Sequence, residues 1–279
     1  QAISLEVENT HTVASAGIEM IWCPPGTFMM GSPTSETGRE ADETQHQVTL
    51  TNGFYLGKYE VTQAQYETVM TGNSGGLNAK PSKWPNNNDR PVEQVSWNHV
   101  QVFLSRLNDM EQTAGRLPVG WKYVLPTEAQ WEYACRAGTN TPYSEGNDLS
   151  NAQANFSGSG GTTKSVGQYS PNLWGFFDMH GNVWEWVNDW KADYPGGSQT
   201  DPEGPLNGSS RVFRGGALHQ VKSHLRSANR NSKKPNHYMS VGGFRIALRK
   251  LQPDTNNPVI QLSGGDTITH SQGYSFHRA

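Results

Sequence analysis

The chain is short of charge. Of its 279 residues only 17% are Asp, Glu, Lys or Arg, and the net charge is −3. A chain without basic excess is no candidate for nucleic-acid binding, and it offers no polybasic patch to a membrane. No apolar run approaches the roughly 18–20 residues that cross a bilayer, so membrane insertion is not expected. Cysteine is scarce as well. Cys23 and Cys135 are the only two, too few for a disulfide-dense scaffold or a four-cysteine zinc site. Hydrophobic residues reach just 34%, yet there are 9 Trp, 10 Tyr and 9 Phe, which a disordered chain would lack. With 30 Gly and 16 Pro, the composition predicts a loop-rich fold whose core is built from aromatics. The first residue is Gln1 rather than Met. Together with low charge and many Asn, Gly and Thr, this points to a secreted or cell-surface bacterial protein after removal of a signal peptide.

Strands are expected over 3–7 and 18–23, and again at Thr27–Gly31 after Pro24-Pro25-Gly26. Residues 32–45, with Glu36, Glu40, Asp42 and Glu43, read as an acidic surface loop. His46–Leu50 and Phe54–Tyr59 flank Thr51-Asn52-Gly53, a hairpin signal. Three helices follow. Thr62 and Gln65 form a capping box, as do Thr127 and Gln130, while Ser96 caps a helix whose Val100, Phe103, Leu104 and Leu107 recur at helical spacing. Gly138 is placed to end the third helix. Residues 72–90 read as an Asn/Pro-rich loop and 139–211 as loops with short strands. Strand-like runs cover 211–218 and 243–248, and 251–257 is a linker by composition.

Seven blocks then occur in order: Gly26-Thr27-Phe28-Met29-Met30-Gly31-Ser32, Tyr59-Glu60-Val61-Thr62, Pro91-Val92-Glu93-Gln94-Val95-Ser96-Trp97, Leu125 to Ala134, Gly181-Asn182-Val183-Trp184-Glu185-Trp186, Arg214-Gly215-Gly216 and Gly243-Phe244-Arg245. This ladder resembles the formylglycine-generating enzyme, or sulfatase-modifying factor, family over roughly 17–249. The resemblance implies an α+β, loop-rich C-type lectin-like fold for 1–250. Catalytic members carry two copper-holding cysteines after the Arg-Gly-Gly block. The matching positions here are Gln220 and Leu225, which form no thiolate, so no copper and no cysteine oxidation are expected. The rival reading is an oxidoreductase of this family working without the cysteine pair, with His219, His224 and Arg226 in its cleft. Some relatives pair a cysteine at the Cys135 position with one that matches Ile246 here. Both cysteines therefore read as buried free thiols.

The family also implies structural calcium. One site carries over to Gly181, Asn182, Val183 and Glu185, whose hard oxygens suit that ion. A second matches Asn155, Phe156, Gly167 and Tyr169, but Gly167 cannot supply the expected carboxylate. His219, His224 and His237 fit no standard metal spacing and read as polar surface.

Residues 217–242 stand out because family-like framework residues enclose a varied set: Ala217, Leu218, His219, Gln220, Val221, Lys222 and His224, then Asn236, His237, Tyr238 and Met239. This is similar to the variable proteins diversified by retroelements, which place their binding face in this last block. The expectation is a non-catalytic binding domain whose partner is a protein or an anionic glycan. Leu218 and Tyr238 are its expected anchors, and Lys222, Arg226, Arg230, Lys233 and Lys234 its positive field. Residues 258–269 resemble the opening of a bacterial immunoglobulin-like repeat, which implies a monomeric domain within a longer surface protein.

Overall fold

All three helices start where their caps predict. Thr62, Ser96 and Thr127 each accept a hydrogen bond from the backbone three residues on, and Gln65, His99 and Gln130 reach back to the cap amide. The computed structural model describes residues 8–250 and, beyond them, only the strand backbones at 260–261 and 267–268. In chain order the first elements are β1 (Thr10–Val13), β2 (Ile18–Cys23), β3 (Gly26–Met30), β4 (His46–Leu50), β5 (Phe54–Gly57), α1 (Gln63–Met70), α2 (Trp97–Thr113), β6 (Trp121–Val124) and α3 (Glu128–Arg136). The later ones are β7 (Trp184–Trp190), β8 (Gln199–Thr200), β9 (Arg211–Arg214), a 3₁₀ turn at Lys222–Leu225, β10 (Arg230–Lys233), β11 (Gly242–Gly243), β12 (Ala247–Lys250), β13 (Ile260–Gln261) and β14 (Thr267–Ile268).

Within residues 8–250 the strands form three sheets. The first runs β1-β2-β5-β12-β6, the second β10-β9-β7-β11 and the third β3-β4-β8. In the first sheet β12, late in the chain, is inserted antiparallel between the early β5 and β6. The apolar stripe of α2 predicted from its spacing is buried: Val100, Phe103, Leu104 and Leu107 join Tyr66, Tyr123, Trp186, Phe213 and Phe244 in one core. Tyr66 lies parallel to Phe103 at 5.5 Å, and Phe244 meets Phe103 edge-on at 5.1 Å. A second cluster collects around α3, every residue of which is buried. Its C-cap, Ala137, takes a left-handed conformation (φ 45°), followed by Gly138 at φ 90°.

Two expectations are corrected and one is refined. His46–Leu50 and Phe54–Gly57 do not pair as a hairpin. β4 pairs with β3 and β8, while β5 pairs with β2 and β12, so the Asn52-Gly53 turn passes the chain from one sheet to another. The acidic segment 32–45 is a surface loop over most of its length, but it is anchored at both ends. Glu43 and Ser32 are buried, and Ser32 Oγ donates to Glu43 Oε2 at 2.7 Å. Finally, the 211–218 run is a strand only to Arg214, because Gly215 and Gly216 (φ 90° and 75°) turn it inward. The strand expected at 3–7 lies outside the described residues, as does most of the immunoglobulin-like tail, of which β13 and β14 form an antiparallel pair.

Candidate functional site

The segment after β9 is shaped by its glycines. A Cβ on Gly216 would sit 2.7 Å from Leu225 Cδ1 and 2.9 Å from the His224 carbonyl, so only glycine lets the 3₁₀ turn lie against this strand end. Leu225 packs among Tyr143, Leu149, Ala154 and Phe156. Ala217 and Leu218 also turn inward, and the Leu218 amide donates to the Asn182 carbonyl at 3.1 Å. They are core residues, so neither belongs to an exposed face, and Leu218, 1% exposed, cannot anchor a partner.

The arginines of the segment are framework too. Arg226 pairs with Glu36 and Glu43 at 2.6 Å each and donates to the Gly38 carbonyl. Arg230 grips both oxygens of Glu128, at 2.6 and 2.8 Å. Arg214 pairs with Glu132, and Arg245 holds Glu185 through two bonds of 2.6 and 2.7 Å. All four guanidiniums are buried. Lys222 is paired with Asp148. The expected positive field therefore shrinks to Lys233 and Lys234, both exposed. Arg226, engaged on every side, is no candidate for chemistry in a cleft.

What remains exposed falls into two strips. The first is His219, Val221 and Lys222, with Gln220 and His224 half-buried beside them. The His219 ring lies 6.4 Å from Trp84, Val221 is 57% exposed, and Gln220 Oε1 contacts His224 Nδ1 at 2.6 Å. The second runs from Lys234 to Ser240. Tyr238 is 61% exposed and stacks on His99 with ring centroids 6.4 Å apart, with Asn236 and His237 beside it. Met239 is half-buried, leans on the core and accepts the Gln94 amide through its carbonyl. The loop 84–94 joins both strips, touching His219 through Trp84 and Met239 through Gln94. Sequence reasoning missed Trp84 and His99, whose aromatic rings inside polar stretches were the available signal.

The two positions that hold cysteine in catalytic relatives are thus an amide bonded to His224 and a leucine in a core. Cys23 and Cys135 are free and buried. Cys135 also has polar neighbours: its Sγ lies 3.8 Å from His180 Nε2 and 3.6 Å from Ser227 Oγ. His180, which the sequence gave no reason to single out, ties three segments together. Its Nδ1 contacts the Leu225 carbonyl at 2.6 Å, and its Nε2 accepts the Ser144 amide at 3.0 Å.

The residues expected to hold calcium are only partly free to do so. Asn182 Nδ2 donates to Glu60 and its Oδ1 accepts from Asn155 and the Lys164 amide, while Glu185 is shared by Arg245 and the Trp131 indole. Among the described residues no three His, Cys, Asp or Glu side chains are grouped to hold a metal by themselves, so a cation here needs backbone carbonyls as well. Acids outnumber cations here: Glu60 is buried and Asp178 half-buried near Glu185, and all three lie in the field of Arg245. Burial, then the charges of Asp178 and Glu185, push the Glu60 carboxyl up. Burial pushes Asp178 to about 6, against the pull of the Gly167 amide and Arg245. Asn155 Oδ1 is buried without a partner. Gly181 is held close as well, since a Cβ there would lie 2.4 Å from the Asn155 carbonyl. Backbone carbonyls such as those of Gly181 and Val183 are hard oxygens of the kind calcium takes, while both Glu185 oxygens are already held by Arg245 and Trp131.

A model of the sulfatase-modifying factor enzyme 1-like domain matches residues 7–250. The chain belongs to this family. It is 28% identical to formylglycine-generating enzyme of Mus musculus over 293 residues, covering 84% of this chain and 76% of that one. It is 29% identical over 252 residues to serine/threonine-protein kinase pkn1 of Chlamydia caviae, but there it matches only 38% of the relative. Among solved structures, PvdO from Pseudomonas aeruginosa superposes with a TM-score of 0.75 at 28% identity, covering 86% of this chain and 97% of that one. Treponema denticola variable protein 1 gives 0.72 at 27%, covering 85% and 97%. The α+β, loop-rich lectin-like fold of the formylglycine-generating type is thereby established.

Proposed function

We propose that this member of the family binds a macromolecular partner through the two exposed strips and carries out no cysteine oxidation. The observation that carries the reading is the fate of the two cysteine positions: Leu225 is sunk among Tyr143 and Phe156, and Gln220 is bonded to His224. Around them the framework arginines are locked while His219, Val221, His237 and Tyr238 face outward. A rigid frame that presents aromatic, aliphatic and imidazole groups suits recognition. Likeness to a solved variable protein supports the same reading. The partner is a protein surface or glycan, and Lys233 and Lys234 give it a mild preference for acidic groups. The domain acts at the bacterial surface or outside the cell, with a calcium ion at Gly181, Asn182, Val183 and Glu185, as the family resemblance implies.

The rival is an oxidoreductase like the murine formylglycine-generating enzyme, working without the cysteine pair. A peptide with the sulfatase motif Cys-x-Pro-x-Arg, incubated with copper and oxygen, separates the two: it stays unmodified here, and aldehyde above the no-enzyme level overturns the reading. A glycan and protein binding screen follows. Any ligand it finds is expected to lose affinity with Tyr238→Ala and His219→Ala and to keep it with changes at 139–170. The reverse pattern moves the site elsewhere.

A further inference from the structure

Away from the two strips, a cavity of about 350 Å³ opens beside the start of α3, within the size range of small-molecule sites. Its walls are mostly apolar: Met30, Ala129, Trp190, Tyr194, Pro195 and Pro202 among others. Four carboxylates line it, from Glu128, Asp189, Asp193 and Glu203, against one guanidinium, that of Arg230. That guanidinium is taken: Arg230 holds both oxygens of Glu128 and lies 3.9 Å from the Tyr194 ring centre. Glu203 is bound by Arg249. Among the described residues Asp189 has no such ion-pair partner, although the charges of Arg211 and Arg230 reach it. It is 4% exposed, and its Oδ2 accepts only the Glu128 amide, at 2.7 Å.

A buried carboxylate without a cation is costly, and natural proteins pair such groups. Burial and the nearby Glu128 charge push the Asp189 carboxyl up to about 7, against the Glu128 amide. The strap Pro202–Pro205 is kept close over it by Gly204 (φ 71°), where a Cβ would lie 3.1 Å from Asp189 Oδ1. An apolar chamber with one acid on its wall that makes no direct ion pair is complementary to a particular kind of molecule.

We infer that this cavity is a second binding site, for an organic ammonium carrying an apolar body about the size of a benzyl group, with Asp189 receiving the charge. The site is independent of the face proposed for the macromolecular partner. An ammonium of this kind arrives as a free amine or as the lysine side chain of a peptide.

The test is titration of the whole chain at pH 8 with benzylammonium, a blocked lysine amide, benzyl alcohol and benzoate, read by tryptophan fluorescence and by NMR shifts. The expected result is saturable binding of a cation at least tenfold tighter than of the neutral alcohol, with no binding of benzoate. Whichever cation binds more tightly identifies the source. Asp189→Asn keeps an acceptor for the Glu128 amide and is expected to erase the preference for the cation. Ala192→Phe, at an exposed position on the rim, blocks entry without touching the acid. Equal affinity for alcohol and cation, absence of saturation by both cations, or unchanged binding in Ala192→Phe overturns the inference.

Discussion

Residues 219–224 and 226–230 are neighbours in one stretch of sequence and share its basic character, yet the fold treats them oppositely. The first stretch meets solvent, with Val221 and Lys222 exposed. The second is buried throughout, and its two arginines are saturated by Glu36, Glu43 and Glu128. The acids that hold Arg226 come from a segment nearly two hundred residues earlier. Cations adjacent in sequence thus build either a surface or a frame, according to whether a distant carboxylate meets them in three dimensions. The frame makes the surface usable, because it leaves the exposed turn little freedom.

The largest expected effect strikes the frame. Arg226→Ala strands Glu36 and Glu43 inside the protein, and breaking a buried pair costs about 3–5 kcal/mol. Denaturant unfolding is expected to show a loss of that order, whereas Lys222→Ala, on the exposed turn, leaves the midpoint in place. Equal, small effects would erase the contrast between the two regions.

Leu218→Ala sharpens the boundary between them. A leucine 1% exposed is expected to cost about 2–5 kcal/mol when truncated, seen as a fall in melting temperature. A change in binding with no change in stability would return Leu218 to the binding face.

Calcium comes next. An ion that binds only the native state contributes RT ln(1 + [L]/Kd), about 2.7 kcal/mol at a hundredfold excess over Kd. A chelator is expected to lower the melting temperature, and Glu185→Gln to remove the difference. An identical melting curve with and without chelator, and no calcium by elemental analysis, is the contrary outcome.

Acid tests the frame in another way. Burial pushes the Glu43 carboxyl up, but bonds from Arg226 and Ser32 outweigh it, and the net value lies below the ordinary 4.5. A depressed folded value means that stability is complete above the carboxylate's ordinary range and is lost as pH falls through the depressed value. Glu43→Gln is expected to flatten the slope of stability against pH below about 4.5; an unaltered slope removes Glu43 from the acid response. The smallest stability effect belongs to Tyr238→Ala. It is expected to leave the melting temperature almost unmoved, while costing about 2 kcal/mol of binding, as truncated interface anchors do.

Much of the fold was legible because its signals are local. A capping box needs four residues and α2's stripe needs seventeen, so helix starts and buried faces followed from spacing. The ordered blocks also named the family. The hairpin at Asn52-Gly53 misled because turn residues say that a chain reverses, not which strands it then joins; β12 and β2 compete for β5 and win it. Of the candidate face, His219, Val221, His237 and Tyr238 were correctly read as exposed. Leu218 was misread because an apolar residue between two glycines and a histidine has no periodicity to show its direction.

The sequence alone determined the helix caps, the aromatic core, the family and the loss of the cysteine pair, since each is written in residues close together or in identity itself. Only the tertiary structure decided which charges are frame and which are surface, that Asp178 and Glu60 lie with Glu185 in the field of Arg245, and that Asp189 is left without a direct ion pair. Those outcomes depend on pairings far apart in the chain, from 60 residues between Glu185 and Arg245 to 190 between Glu36 and Arg226. No local pattern encodes them, because a buried charge is fixed by the partner that reaches it and not by its neighbours along the chain.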